Sequence, residues 1–217
     1  MRKVRPEDEI PLVELAPQEA IARVQGMEYH NLSKETVEAA RFLDQYIADR
    51  GGKAIDPNEL MGLIYATIDM YMKELSIYMI CAKGCAECCR IPVPITLVEA
   101  NYIFSVGGKA FNQVTPETQN ILDPDVPLAK DDYCPLLDQD TGLCSQYANR
   151  PMACRLMATM DTYVACVNDT AHHFHGLTSN ELFSKINSWL EAVSSALGKD
   201  LGMVGLSDIR TWFDSEK

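Results

Sequence analysis

Apolar residues recur at helical spacing between Asp56 and Leu75. The repeating positions are Leu60, Leu63, Ile64, Ile68, Tyr71 and Leu75. A repeat of three to four residues places these side chains on one face of a helix. Asp56 and Pro57 stand at the start of the repeat and suit the cap and the first turn of a helix. The pattern therefore predicts a long helix that leads directly to Cys81.

Two further stretches have the same pattern on either side of the cysteines. In the first, Ser33 suits the N-cap and Gly51 the stop. Its apolar positions are Val37, Phe42, Leu43 and Ile47. The second opens with a capping box formed by Thr178 and Glu181. Its apolar positions are Leu182, Ile186, Leu190, Val193 and Leu197. Both stretches predict helices.

Shorter elements are predicted between these helices. Residues 91–95 contain two prolines and should be extended. Thr96 and Glu99 form a capping box for a short helix that ends at a glycine pair. Pro151 suits the first position of another helix, over residues 152–160.

The remainder of the chain should be irregular. Residues 1–30 contain three prolines among scattered charges and predict an arm without regular structure, and residues 123–148 are loop-like. The fold class that follows is mainly α, a helical body around an irregular, cysteine-rich core. We expect one compact domain with an N-terminal part (1–80), a cysteine region (81–166) and a C-terminal helical segment (167–217).

The charge of the chain narrows the classes of partner. With 31 acidic and 19 basic residues, the net charge is -12, which disfavours nucleic acids and anionic membrane surfaces. The N-terminal residues do not resemble a secretory signal, and the sequence has no apolar run of about 18 residues, the length that spans a membrane. We therefore expect a cytoplasmic protein, whose cysteines stay reduced and bind metal more readily than they form disulfides.

Four cysteines lie within nine residues, at Cys81, Cys85, Cys88 and Cys89. Two intervening residues separate Cys85 from Cys88, a spacing that lets both sulfur atoms reach one metal ion or cluster. Adjacent cysteines project in different directions, so Cys88 and Cys89 can serve one centre with an unusual backbone or two neighbouring centres.

The other four cysteines are Cys134, Cys144, Cys154 and Cys166, with nine, nine and eleven residues between them. These gaps match neither a zinc finger nor a ferredoxin, so the fold must gather the side chains. Two sets of four thiolates suit a tetrahedral zinc or an iron-sulfur cluster in one or two centres. The alternatives are buried free thiols, above all at Cys81 and Cys166, and a redox pair of Cys85 with Cys88.

Several other residues have a candidate role near such a centre. Arg150 and Arg155 flank Cys154 and could bind the cofactor by donating hydrogen bonds to its sulfur atoms, although Arg150 could equally pair with a surface carboxylate. His172, His173 and His175 follow the last cysteine, where a solvated loop is the better interpretation. Asp138 to Gly142 is better interpreted as a turn than as a calcium loop.

The cysteine motifs resemble those of the YkgJ-like family of zinc- or iron-chelating cysteine-cluster proteins. The matching segments are Cys81 to Cys89, Cys134-Pro-Leu-Leu, Cys144-Ser-Gln-Tyr and Arg150-Pro-Met-Ala-Cys154-Arg155. The resemblance implies metal binding by all eight cysteines, usually described as iron-sulfur. Some relatives are described as flagellin lysine methylases.

Three functions are compatible with the sequence. The first is an iron-sulfur protein in electron transfer or as an accessory to another enzyme, which implies a protein partner. The second is a structural zinc module that presents a protein-binding surface. The third is a metal-dependent protein-modifying enzyme, so whether the chain is catalytic stays open. Tetrahedral sulfur coordination alone does not separate zinc from iron-sulfur.

Overall fold

The computed structural model describes residues 15–50, 55–81, 85–114, 133–160, 166, 174–175, 181–197 and 206–214. The helices in these ranges are α1 (Pro17–Glu28), α2 (Lys34–Arg50), α3 (Pro57–Leu75), α4 (Leu97–Gly107), α5 (Met152–Leu156), α6 (Glu181–Ala196) and α7 (Ile209–Trp212). The strands are β1 (Pro94–Ile95), β2 (Leu137–Asp138), β3 (Leu143–Cys144), β4 (Ala158–Thr159), β5 (Phe174–His175) and β6 (Ser207–Asp208). The strands form three antiparallel pairs, β1 with β6, β2 with β3 and β4 with β5. The predicted mainly α class is confirmed.

Helix α3 lies at the centre of the helical body. Asp56 caps it by accepting hydrogen bonds from the backbone N–H groups of Asn58 and Glu59, so that two of its free N–H groups are satisfied. Its buried face packs against α2, α4, α5 and α6. The core residues of this body include Leu43, Leu60, Ile64, Ile68, Ile186, Trp189 and Val193. The apolar repeat of the sequence therefore marks the face that forms the core.

The predicted helix starts agree with the structure where it describes them. The helix after Ser33 is α2, and the predicted capping box of Thr96 and Glu99 is formed at the start of α4. Gly108 ends α4 in the left-handed region with φ 70°, where a side chain would be strained. The predicted roles of Gly51 and Thr178 fall outside the described residues.

Two of the predictions for regular structure were wrong. The arm predicted over residues 1–30 contains α1, because Pro17 occupies the first turn of a helix, where proline is well tolerated. The helix predicted over residues 152–160 ends at Leu156, because Ala158 and Thr159 extend to pair with β5.

A second core surrounds the short strands. It contains Ala86, Val93, Ile95, Ala100, Ile103, Cys134, Leu136, Leu137, Ile209, Trp212 and Phe213. Residues from the cysteine region and from the C-terminal segment 206–214 thus share one apolar cluster. Among the described residues, no helix has both the length and the apolar character needed to cross a membrane.

Candidate metal centre

Two cysteines of the first group, Cys88 and Cys89, lie on a short 3-10 turn, Glu87–Arg90, with Cys85 just before it. The N–H of Cys89 donates to the carbonyl of Ala86 at 3.0 Å, and this bond closes the turn. Arg90 forms an ion pair with the buried carboxylate of Glu87 at 2.9 Å. This tight backbone holds the adjacent side chains of Cys88 and Cys89 in contact, as their mutual hydrogen bond shows.

The fold brings three cysteines of the second group to the first. The N–H of Cys134 donates to the carbonyl of Cys89 at 2.8 Å, so the two cysteine-containing segments are in contact at this point. The predicted turn at Asp138 joins β2 to β3 and places Cys144 opposite Leu137. Cys154 is on α5, which starts next to the same pocket.

Six of the eight cysteines line one pocket with a volume of about 400 Å³. They are Cys85, Cys88, Cys89, Cys134, Cys144 and Cys154. Most of the other wall residues are apolar, such as Leu136, Leu143 and Ile209. The structure thus brings together thiols that are up to 69 positions apart, between Cys85 and Cys154.

Burial keeps most of these thiols in the neutral form. Burial raises the pKa of Cys85 to about 12 and that of Cys134 to about 11. The pKa of Cys154 is raised by burial first and then by the neighbouring thiols of Cys88 and Cys134. Thiolates crowded in an apolar pocket repel each other, and a bound cation removes this cost. The pocket is therefore suited to thiolates only when a positive centre accompanies them.

The contact between Cys88 and Cys89 shifts the pKa values of the two thiols in opposite directions. A hydrogen bond between the two side chains lowers the pKa of Cys88 and raises that of Cys89. Of the two adjacent thiols, Cys88 therefore forms a thiolate more readily than Cys89.

Cys81 and Cys166 are outside the pocket wall. The Sγ of Cys81 accepts a hydrogen bond from the N–H of Thr159 at 3.2 Å, and Ile80 donates to the carbonyl of Thr159 at 3.0 Å. Cys81 still interacts electrostatically with Cys88, so it is adjacent to the pocket. Cys166 is half-buried, and the residues on both sides of it fall outside the described ranges, as do His172 and His173.

Residues 80–180 match the CxxCxxCC family, whose description is "Putative zinc- or iron-chelating domain". This segment is similar to that family and is called the CxxCxxCC domain after it. It spans just under half of the chain and contains all eight cysteines. The resemblance is confirmed at the level of the family, and the cofactor that the family describes, zinc or iron, agrees with the prediction. No curated protein and no solved structure matches the chain.

The two predicted arginines of the CxxCxxCC domain have different surroundings. Arg150 lines the pocket, stacks over the ring of Tyr147 at 4.2 Å and lowers the pKa of Cys88, although the Cys89 hydrogen bond has the larger effect. Its Nε is buried and has no hydrogen-bond partner among the described residues. Arg150 thus places a positive charge at the pocket, as predicted for a residue near the centre.

Arg155 makes structural contacts instead. Its Nε donates to the carbonyl of Arg150 at 2.9 Å, its Nη1 to Asp69 at 2.5 Å and its Nη2 to the carbonyl of Ala148. The guanidinium also lies 4.1 Å from the ring centre of Tyr65. These contacts connect α3 to the chain that carries Cys154.

Sequence reasoning missed Arg210, which lies beyond the CxxCxxCC domain. Its Nη2 donates to the carbonyl of Cys89 at 2.9 Å, although the two residues are 121 positions apart. No cysteine or motif marks residues 206–214, and a single arginine in an acidic chain is an ordinary surface residue. Ile209, from the same segment, lines the pocket.

The donor set of the CxxCxxCC domain fits a metal centre with thiolate ligands. No three His, Cys, Asp or Glu side chains among the described residues converge as the ligands of a metal ion would. Six cysteines nevertheless line one pocket, and Arg150 is also a lining residue. The donors around the pocket are therefore mainly thiols, which zinc and iron-sulfur clusters both take as ligands.

Proposed function

We propose that this chain is an iron-sulfur protein whose cluster is held by thiolates of the six-cysteine pocket. The observation that carries the proposal is the presence of six cysteines around one volume of about 400 Å³. A tetrahedral zinc site needs four ligands about 2.3 Å from one ion, so it would draw four sulfur atoms to a point. A cluster of iron and sulfide occupies a larger volume and takes cysteines at its corners.

The surroundings of the pocket also favour a cluster. Such clusters exchange single electrons, and hydrogen bonds to their sulfur atoms tune the potential. Arg150 lines the pocket and brings a positive charge close to its thiols. With six cysteines in the wall and Cys81 beside it, more thiols are present than the four that one cluster uses, so a second metal or exchange between ligands has donors available.

We assign the protein to electron transfer or to an accessory role beside another enzyme. Cys88 is exposed at the edge of the pocket, and Leu143 and Tyr147 of the wall are also exposed. A cluster held here would be close to the surface and could exchange electrons with a docked protein partner. The thiols require a reducing compartment, which agrees with the cytoplasm.

Anaerobic purification tests the proposal directly. The protein should be brown and contain iron and acid-labile sulfide in equal amounts, together with a visible absorption band that dithionite bleaches. Cys154→Ser should lose most of the iron. The matched control is Ile64→Ala, a substitution in the helical body that should keep it. Colourless protein with stoichiometric zinc would show that the centre is a zinc module.

A further inference from the structure

We infer that the C-terminal segment 206–214 completes the metal centre, with Arg210 as the positioning residue for the Cys89 ligand. This inference rests on the proposed metal centre and extends it beyond the CxxCxxCC domain, which ends at residue 180. The segment lies against the first cysteine group. β6 pairs with β1, and the N–H of Ile209 donates to the carbonyl of Val93 at 2.9 Å.

Asp208 and Arg210 form a buried pair at this junction. Asp208 is 3% exposed, and its carboxylate accepts from the N–H of Val93 at 2.7 Å and from Arg210 Nη1 at 3.1 Å. The backbone N–H of Arg210 also donates to Asp208 at 2.9 Å. These bonds fix the guanidinium in one direction, so its remaining donors point to a defined place.

That place is the backbone of the first cysteine group. Arg210 Nη2 donates to the carbonyl of Cys89 at 2.9 Å, and Nη1 donates to the carbonyl of Ile91 at 3.3 Å. The Cys89 carbonyl also accepts from the N–H of Cys134 at 2.8 Å. One oxygen atom therefore joins three separate parts of the chain, and the orientation of two pocket cysteines depends on it.

The segment also contributes charge and an apolar wall. Arg210 places its positive charge against the backbone of Cys89, whose carbonyl it contacts at 2.9 Å. Ile209 lines the pocket, while Trp212 and Phe213 are fully buried in the core that contains Cys134. The arginine thus acts on the centre through the Cys89 backbone and through its positive charge.

Arg210→Met and Arg210→Lys test the inference in the full-length protein. Arg210→Met removes the charge and the hydrogen bonds, and it should release metal to a chelator roughly 10- to 100-fold faster, the usual cost of losing a residue that supports a ligand. If the centre is iron-sulfur, its midpoint potential should also fall, because a positive charge stabilises the reduced cluster. Arg210→Lys keeps the positive charge but lacks the bidentate donors of the guanidinium. The midpoint potential should therefore stay near the wild-type value, while the rate of metal release should stay raised.

The control is Lys185→Met, which removes a charge from an ion pair with Asp44 in the helical body. It should leave release rate and potential unchanged. If Arg210→Met behaves like this control, the inference is overturned. If Arg210→Met does not fold, Arg210→Lys decides, with faster release supporting the inference and an unchanged rate overturning it. Wild-type protein without any metal would instead refute the proposed function, and this inference with it.

Discussion

The helical body and the cysteine pocket both bury side chains, but different interactions hold them. In the body, α3 buries Ile64 and Ile68 against Trp189 of α6, and each long helix satisfies its own backbone. Around the pocket, every strand in the described residues has two residues, and six of the wall residues are thiols. Apolar burial stabilises the first region, whereas the second adds to its own apolar core six thiols that gain little until a metal binds them.

A few hydrogen bonds between short segments hold the backbone of the pocket region. Cys134 donates to the carbonyl of Cys89, and Ser145 donates to the carbonyl of Leu136, each at 2.8 Å. A region with few repeated hydrogen bonds opens locally more easily than a packed helix. The comparison therefore indicates that the metal stabilises one region and leaves the other almost unaffected.

Removal of the metal should have the largest effect, and it should be local. Structural metal sites contribute up to roughly 10–16 kcal/mol of binding free energy in small domains. After chelation, amide exchange at Cys134 and Ser145 should accelerate by roughly 100-fold or more, a loss of about 3 kcal/mol of local stability. Amides of α3 should keep their protection. Hydrogen exchange of the metal-bound and metal-free protein measures these rates. Equal acceleration in the pocket region and in the helical body would show that the metal stabilises both.

Substitution of single cysteines should give a graded result. Cys154→Ser removes a proposed ligand from the pocket wall, and metal content should fall by about 10-fold or more. Cys81→Ser, outside the wall, should reduce it far less. Metal analysis of proteins purified in parallel provides the comparison. Ile64→Ala should instead cost about 2–5 kcal/mol of global stability while the folded protein keeps its metal. If Cys81→Ser loses as much metal as Cys154→Ser, the centre extends beyond the pocket.

The difference between the helical body and the cysteine pocket also explains which features could be predicted from the sequence. Helices α2, α3 and α4 were predictable because capping and apolar spacing are local, as Asp56 and Thr96 illustrate. Helix α1 was missed because prolines suggested an irregular arm, although Pro17 is well placed in a first turn. The end of α5 was misplaced because the pairing of β4 with a distant strand, which sequence spacing does not show, determines it.

The candidate site was predictable in its residues but not in its assembly. The cysteine count and the motif around Cys88 indicated a metal-binding domain. The convergence of Cys134, Cys144 and Cys154 depends on hydrogen bonds and packing between distant segments, and the same is true of Arg210. A site gathered by tertiary contacts leaves little trace in local sequence patterns.

Glu99 connects the two regions, and its removal should have an intermediate effect. The carboxylate is 2% exposed and accepts hydrogen bonds from Tyr65 Oη at 3.3 Å and from the N–H of Met152 at 2.8 Å, besides closing the Thr96 capping box. Glu99→Ala leaves these buried donors without an acceptor, which costs about 1–3 kcal/mol. Chemical denaturation should show this loss.

Glu99→Gln keeps an acceptor oxygen and should lose less. Because Met152 starts the helix that carries Cys154, Glu99→Ala should also weaken metal retention. An unchanged metal content would mean that the body and the pocket are independent at this point.

The smallest effect is expected at Glu74, which belongs to the helical body alone. Burial raises the pKa of Glu74, but hydrogen bonds from Ser33 and Thr36 outweigh it and lower the pKa to about 2 from its usual 4.5. The carboxylate therefore stabilises the fold above pH 4.5, and this contribution is lost as the pH falls from 4.5 towards 2.

Wild-type protein should exceed Glu74→Gln in stability by on the order of 1 kcal/mol above this window, since solvent screens the partly exposed site, and the difference should vanish below it. Glu38→Gln removes an exposed carboxylate from α2 and is the control. Because none of these residues lines the pocket, metal-bound and metal-free protein should show the same difference at a pH just above 4.5. A metal-dependent difference would show that the centre stabilises the body as well.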